Sequence, residues 1–306
     1  MAKAIDRHLE TLCQADPKLR RQALEQVLAE ERLTFTTQEE EASTKNPRGI
    51  CNYLVSSCPG DPSLLFCAHY DAVPGSPGAN DNGAALCILI QLAVTLKEEG
   101  IPAKFAFFDG EEMGNSGSRL YVSLADRQTL SGVINLDVCG YGDSLVICGK
   151  GHEKKPVFRS FCQKSLLGRH QGHIVKFLPK SDDSSFSRMK LPTLSLAAMP
   201  RWDIQYLNAL ASYGEGLFGR PPEFELILGQ MEVTSTMHGG YRDTLEWIER
   251  GTMENVYAFL LEGIRQQKSK EAGNRKKFHA LPAWRKPNSP LQATKHQTCS
   301  AAGGRG

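Results

Sequence analysis

The 306-residue sequence predicts an α/β fold, a largely parallel sheet with helices on both faces. Three observations carry that prediction. Short apolar runs of strand character alternate with segments of helical period between residues 50 and 200. The length suits one α/β domain with a terminal extension. Residues able to do chemistry stand directly after the strand-like runs, where open α/β sheets place their ligands.

Taken in order, residues 4–31 have helical spacing (Ile5, Leu9, Leu12, then Leu24, Val27, Leu28) interrupted near Pro17. The polar, Glu-rich stretch Thr34–Arg48 reads as a loop or edge element. Ile50–Val55 and Leu64–Ala68 read as strands. Asn82–Glu99 is a helix apolar almost all round, hence buried, ended by Gly100 with Pro102 beyond. Lys104–Phe108 is a strand, Ser116–Ala125 a helix, and Val133–Asp137 and Leu145–Cys148 are strands. Val157–Leu167 is expected as a helix, Thr193–Ala198 as a strand, Met199–Met237 as a loop region, and Met253–Arg265 as a closing amphipathic helix. From residue 267 the chain is rich in Lys, Arg, Gly, Pro and Ser. It has too little apolar surface to offset the entropy of ordering, so 267–306 is expected to be a disordered basic tail after a domain of residues 1–266.

Charge follows the same division. Residues 265–306 hold ten Lys/Arg against one acid, Glu271, so of a net charge of +2 this end carries +9 and residues 1–264 carry −7. The folded body is thus mildly acidic; a basic tail could touch nucleic acid or an anionic surface, but a solvated extension is the plainer reading, and no nucleic-acid partner is expected. The apolar run within Ala84–Leu96 is shorter than a bilayer span and contains Gln91, so no membrane association is expected. The nine cysteines include no C-x-x-C pair, and Cys67, Cys87, Cys139 and Cys148 lie in apolar runs. With no apolar signal core in MAKAIDRHLETLCQ, the expectation is a cytoplasmic protein with reduced thiols.

The chemistry concentrates in LFCAHYDAVPGSPGANDNG, residues 65–83. It sets His69 at a strand end and, twelve residues on, Asp81 at a helix start. Glu111-Glu112 follow the strand KFAFF, Asp137 closes VINLD, and His238 lies farther on. Imidazole and carboxylate together suit zinc. Three carboxylates (Asp81, Glu112, Asp137) against two divalent ions leave +1, which a bridging hydroxide neutralises. One carboxylate must stay off the metal to move protons, a division of labour the Glu-Glu pair offers. Asp71, two residues after His69 and on the same face of an extended chain, is placed to hold the other imidazole nitrogen. A strand-end Asp that only caps its loop is the plainer alternative.

HYDAVPGSPGANDNGAA, FFDGEEMGNSGSRLY, NLDVCG, SDDSSF and MHGGYRDT resemble the successive motifs of zinc aminopeptidases of the aminopeptidase S and aminopeptidase Y type, a family that also includes glutaminyl cyclases. The resemblance covers about residues 50–262. It implies a single three-layer α/β/α domain around a mixed, mostly parallel sheet. It also implies two Zn2+ ions: Asp81 bridging them, His69 and Asp137 completing one site, Glu112 and His238 the other, with Glu111 as general base and acid. The implied activity is release of an N-terminal amino acid from a peptide with a free N-terminus.

One departure stands out. The family has Ser-Asp-His where this chain has Ser181-Asp182-Asp183, which puts local substrate contacts, though not Asp182 itself, in question. Competing readings are a single-zinc glutaminyl-cyclase-like acyltransferase and a di-zinc carboxypeptidase or deacylase. In the latter the bridging Asp lies farther from His-x-Asp than the step from His69 to Asp81. A metal-free binding protein on the same fold is a third. Trp202, Tyr206, Tyr213 and Phe218 are candidates for an apolar specificity wall, or for plain packing. Gly239-Gly240 either lets substrate backbone approach or forms the turn that aims His238.

Overall fold

The computed structural model describes residues 3–44, 47–213 and 221–279, without side chains for 270–279. Among the described residues eight strands form one sheet: β1 Phe35–Glu40, β2 Ile50–Ser56, β3 Ser63–His69, β4 Lys104–Phe108, β5 Leu130–Leu136, β6 Ser144–Cys148, β7 Gly172–Ile174 and β8 Thr193–Met199. Their order is β1-β2-β4-β3-β5-β8-β6-β7. The central run β4-β3-β5-β8 is parallel, as is β6 with β7, while β1–β2, β2–β4 and β6–β8 are antiparallel. The sheet is therefore mixed and mostly parallel. Its helices are α1 Leu9–Leu12, α2 Pro17–Glu30, α3 Ala84–Glu98, α4 Ser116–Leu124, α5 Lys164–Arg169, α6 Asp203–Tyr213, α7 Pro222–Leu228 and α8 Arg250–His279.

Alternation along the central strands sends side chains to two covered faces. Leu64, Phe66 and Ala68 of β3, with Phe105 and Phe107 of β4, join a core with residues of α1, α2, α3, α5 and α8. Leu65, Cys67, Ala106 and Phe108 point the other way, onto Tyr121 of α4 and Phe186. Farther along the sheet, Val146, Cys148, Ala197 and Met199 meet Leu207 of α6 and Phe224 of α7. The stretch Ala79–Glu98 has the length and apolarity of a membrane span, but 83% of it is buried inside the molecule. Its hydrophobicity is that of a helix packed against the sheet.

Three sequence expectations change. Val157–Leu167 is not one helix: a short turn at Pro156–Phe158 precedes α5. Phe158, Phe161, Leu166 and Leu167 are all buried, so two tight turns satisfy the same apolar spacing. Within Met199–Met237, α6 and α7 replace the expected loop. The final helix runs past residue 267 to His279, through Gln, Lys, Glu and Ala residues of good helix propensity. The rest of the expected tail, 280–306, lies outside the described residues. The chain divides into two units, Met1–Lys268 and Ser269–Gly306. The sheet belongs to the first, and the described part of the second is helical.

Strand order places the site. From β3 the chain passes through α3 to β4 on one side, then through α4 to β5 on the other. The carboxyl end of β3 is thus a point where the direction of winding reverses, and such points open a crevice.

Candidate metal centre

His69 ends β3 and is buried, with its ring wedged among carboxylates. Nε2 lies 3.2 Å from Asp81 Oδ1 and 3.6 Å from Asp137 Oδ1. Nδ1 lies 3.1 Å from the Asp71 main-chain carbonyl and 3.5 Å from its carboxylate. Donation of Nδ1–H to Asp71 leaves the Nε2 lone pair facing the acids, the tautomer a metal ligand needs. The Asp71 carboxylate also accepts the amides of Glu111 at 3.0 Å and Glu112 at 3.2 Å. It therefore ties the end of β3 to the loop after β4, beyond the imidazole contact expected from sequence.

Asp81 lies in a tight turn, Ala79–Gly83, that leads into α3. The flanking asparagines explain the ANDNG sequence. Asn80 donates to Thr236 Oγ1 at 2.7 Å and accepts the Gly140 amide at 2.6 Å, while Asn82 donates to the Leu136 carbonyl at 2.9 Å. Asp243, 1% exposed, accepts the amides of Asn80 at 2.9 Å and Asp81 at 3.1 Å and the Ser76 hydroxyl at 2.7 Å. From sequence Asp243 is only part of MHGGYRDT. Its position five residues after His238 is the one signal of its task, which is to lock the His238 loop to the Asp81 turn.

His69, Asp81 and Glu112 each offer a ligand atom, all within 4.8 Å of one another. Asp137 borders this group through its contact with His69. His238 is exposed, and its main-chain N–H donates to Asp81 Oδ2 at 2.8 Å. Val138 (φ 49°) and His238 (φ 51°) both take the left-handed conformation, unusual for a β-branched residue, and turn the chain sharply beside the site. Gly239-Gly240 forms the turn after His238: the Gly240 amide bonds to Met237, and a Cβ on Gly240 would sit 2.2 Å from the Ser235 carbonyl.

The donor set fits a metal. Glu112 Oε1 and Asp137 Oδ1 are buried without hydrogen-bond partners, an arrangement that costs free energy unless a cation completes it. Set against the protein's own charges alone, burial pushes Glu111 up to about 9 and Glu112 up to about 8. Burial also pushes Asp182 up to about 7. Burial would lower His69, but the surrounding carboxylates of Asp137, Asp71 and Asp81 outweigh it and raise it well above its ordinary value. Burial likewise opposes ionisation of Asp81, yet His69 and the His238 amide hold it below the usual range. So much buried acid around one imidazole suits zinc, which accepts nitrogen and carboxylate oxygen. Asp183, standing where the resembled family has His, pairs with Lys150 Nζ at 3.2 Å and caps the Ser181 amide at 3.1 Å.

An apolar pocket of about 50 Å3 adjoins Asp137, lined among others by Val138, Leu178, Met199, Met231 and Met237. The expected aromatic wall does not line it. Trp202 is 56% exposed and donates to Glu232, Tyr213 is exposed, and Tyr206 packs into the α6–α7 core. Phe218 lies outside the described residues. Methionines and aliphatic side chains form the wall instead, because α6 and α7 bring Leu207 and Leu228 over β8.

The sequence profile described as Peptidase family M28 matches residues 52–261. A probable lipoprotein aminopeptidase, LpqL of Mycobacterium tuberculosis, is 39% identical over 147 residues, 41% of this chain and 29% of that protein. The chain thus spans under a third of that relative's length. A glutaminyl cyclase of Porphyromonas gingivalis has a similar structure, with a TM-score of 0.63 and 16% identity, covering 86% of this chain and 96% of the cyclase. The zinc aminopeptidase BSAP of Bacillus subtilis superposes with a TM-score of 0.54 and 19% identity, covering 71% of this chain and 49% of that one. At such identities the two structures show a shared fold.

Proposed function

The chain belongs to peptidase family M28, and from that premise we propose that it is a zinc-dependent aminopeptidase that releases the first residue of peptides with a free N-terminus, using two zinc ions. One observation supports this most: His69, Asp81 and Glu112 converge within 4.8 Å while the neighbouring Glu111 stays outside that group. His69, Asp81 and Asp137 would hold one ion; Glu112 and Asp81, joined by His238, would hold the other. When bound, zinc supplies Lewis acidity toward the scissile carbonyl and makes water a stronger acid.

The protein's own residues do the rest. Glu111, on the rigid loop that Asp71 pins, takes a proton from the attacking water and returns it to the leaving amine. Asp71 keeps His69 in the Nδ1–H form. The pocket beside Asp137 takes an aliphatic or methionine side chain and disfavours a charged one, which would be buried unpaired.

The test is metal analysis combined with a panel of aminoacyl amides and peptides, free and N-blocked. Two zinc ions per chain and cleavage of free Leu or Met substrates are expected; turnover of N-blocked substrates would overturn the reading. A second reading rests on the single tight three-ligand group and on the likeness to a glutaminyl cyclase. One zinc per chain with cyclisation of N-terminal Gln would establish it. A cytoplasmic location is part of the proposal, supported by eight unpaired cysteines among the described residues. Cell fractionation tests it against the envelope location that the LpqL description suggests for that relative.

A further inference from the structure

We propose that Arg20 is a positioning residue that fixes the two ends of the ligand-bearing loop against each other, so that zinc affinity depends on a helix supplying no ligand. This rests on the zinc reading above. Arg20 projects from α2 and is 2% exposed. Its guanidinium donates through Nε to the Tyr70 carbonyl, through Nη1 to the Pro77 carbonyl at 2.5 Å, and through Nη2 to the Gly78 carbonyl at 3.0 Å. Tyr70 directly follows His69, and Gly78 stands three residues before Asp81. One rigid, planar fork therefore sets the separation between the strand end that carries His69 and the turn that carries Asp81.

The junction leaves little slack. Gly78 has φ +55°, and a Cβ there would lie 2.7 Å from the Ala72 Cβ and 3.0 Å from Arg20 Nη2. Among the described residues Arg20 forms no ion pair; its charge is offset only at longer range, by Asp71, Asp243 and Asp81. Burying a cation on three carbonyls is costly for mere packing, since α2 fills the neighbouring core with Ala23, Leu24 and Val27. The guanidinium is accounted for by what it holds in place. A Lys ammonium keeps the charge but is a single point that cannot span the three carbonyls in the same geometry.

Zinc affinity of the full chain, measured by competition with a chelating indicator, tests this. Arg20→Lys should weaken zinc binding by about 10- to 100-fold, the range for side chains that orient ligands from outside the coordination shell. Val27→Ala, a buried change on the same helix, should lower the melting temperature yet leave zinc affinity as in the wild type. Gly78→Ala disturbs the same junction from the loop side; it should match the loss, and it carries the test if Arg20→Lys does not fold. Wild-type zinc affinity in Arg20→Lys or in Gly78→Ala, or an equal loss in Val27→Ala, overturns the brace alone. A wild-type protein that takes up no zinc overturns the reading of the site and the inference with it.

Discussion

Glu111 and Glu112 are neighbours in sequence whose amides share one carboxylate, Asp71, yet only Glu112 belongs to the tight ligand group. Glu111→Gln should therefore retain zinc while turnover falls by about 10^2- to 10^4-fold, the usual worth of a positioned acid–base group. Steady-state kinetics beside metal content would show it, and wild-type-like turnover would remove Glu111 from the mechanism. Asp243→Ala strips two amides and a hydroxyl of their buried acceptor, which should cost about 2–4 kcal/mol in urea unfolding. His69, Asp81 and Glu112, which the fold brings together, were legible in sequence because each stands after a strand or at a helix start, where acids have no structural reason to gather. Arg20 and Asp243 were not. An Arg on an amphipathic helix reads as solvated, and an Asp near glycines reads as a turn, until the fold buries both.

At the scale of elements, α2 is a helix whose start is fixed locally. Pro17 opens it, and Asp16 caps it by accepting the amides of Lys18 at 2.8 Å and Leu19 at 3.0 Å. Asp16→Ala should cost about 1 kcal/mol in denaturant unfolding. An unchanged midpoint would show that tertiary packing alone holds the helix. Strands β3, β4 and β5 were readable because both faces are buried and the apolar runs are continuous. The three-residue β7 was not, since Gly172-His173-Ile174 has no pattern and pairs only because β6 is already in place. Likewise α6 and α7 cover the face of β8 that carries Ala197 and Met199, and packing against those residues completes them.

For the molecule as a whole, the N-terminal segment is joined to the end of α2 by a charge cluster. Burial alone would push the Glu31 carboxyl up, but hydrogen bonds from His8, Arg7 and Lys3 outweigh it and hold it at about 2. A carboxyl held below its unfolded value stabilises the fold above pH ~4.5, and that stability is lost as pH falls towards ~2. Lys3 is 59% exposed and water screens it, so the contribution at neutral pH is about 1–2 kcal/mol. Glu31→Gln should thus be less stable than the wild type at pH 7 and indistinguishable from it near pH 2. A difference that persists unchanged in acid would assign the effect to packing.

The sequence alone determined the chemistry and its order along the chain: which strand ends carry imidazole and carboxylate, and that Asp81 follows His69 closely. Those features are local, set by strand patterning, turn residues and spacing. Only the tertiary structure decided what supports them and what a substrate would meet. The Arg20 fork, the Asp243 lock, the bond from the His238 amide to Asp81 and the methionine-lined pocket join residues far apart in the chain. Their partners are chosen by sheet order and by helix packing, which no local pattern encodes.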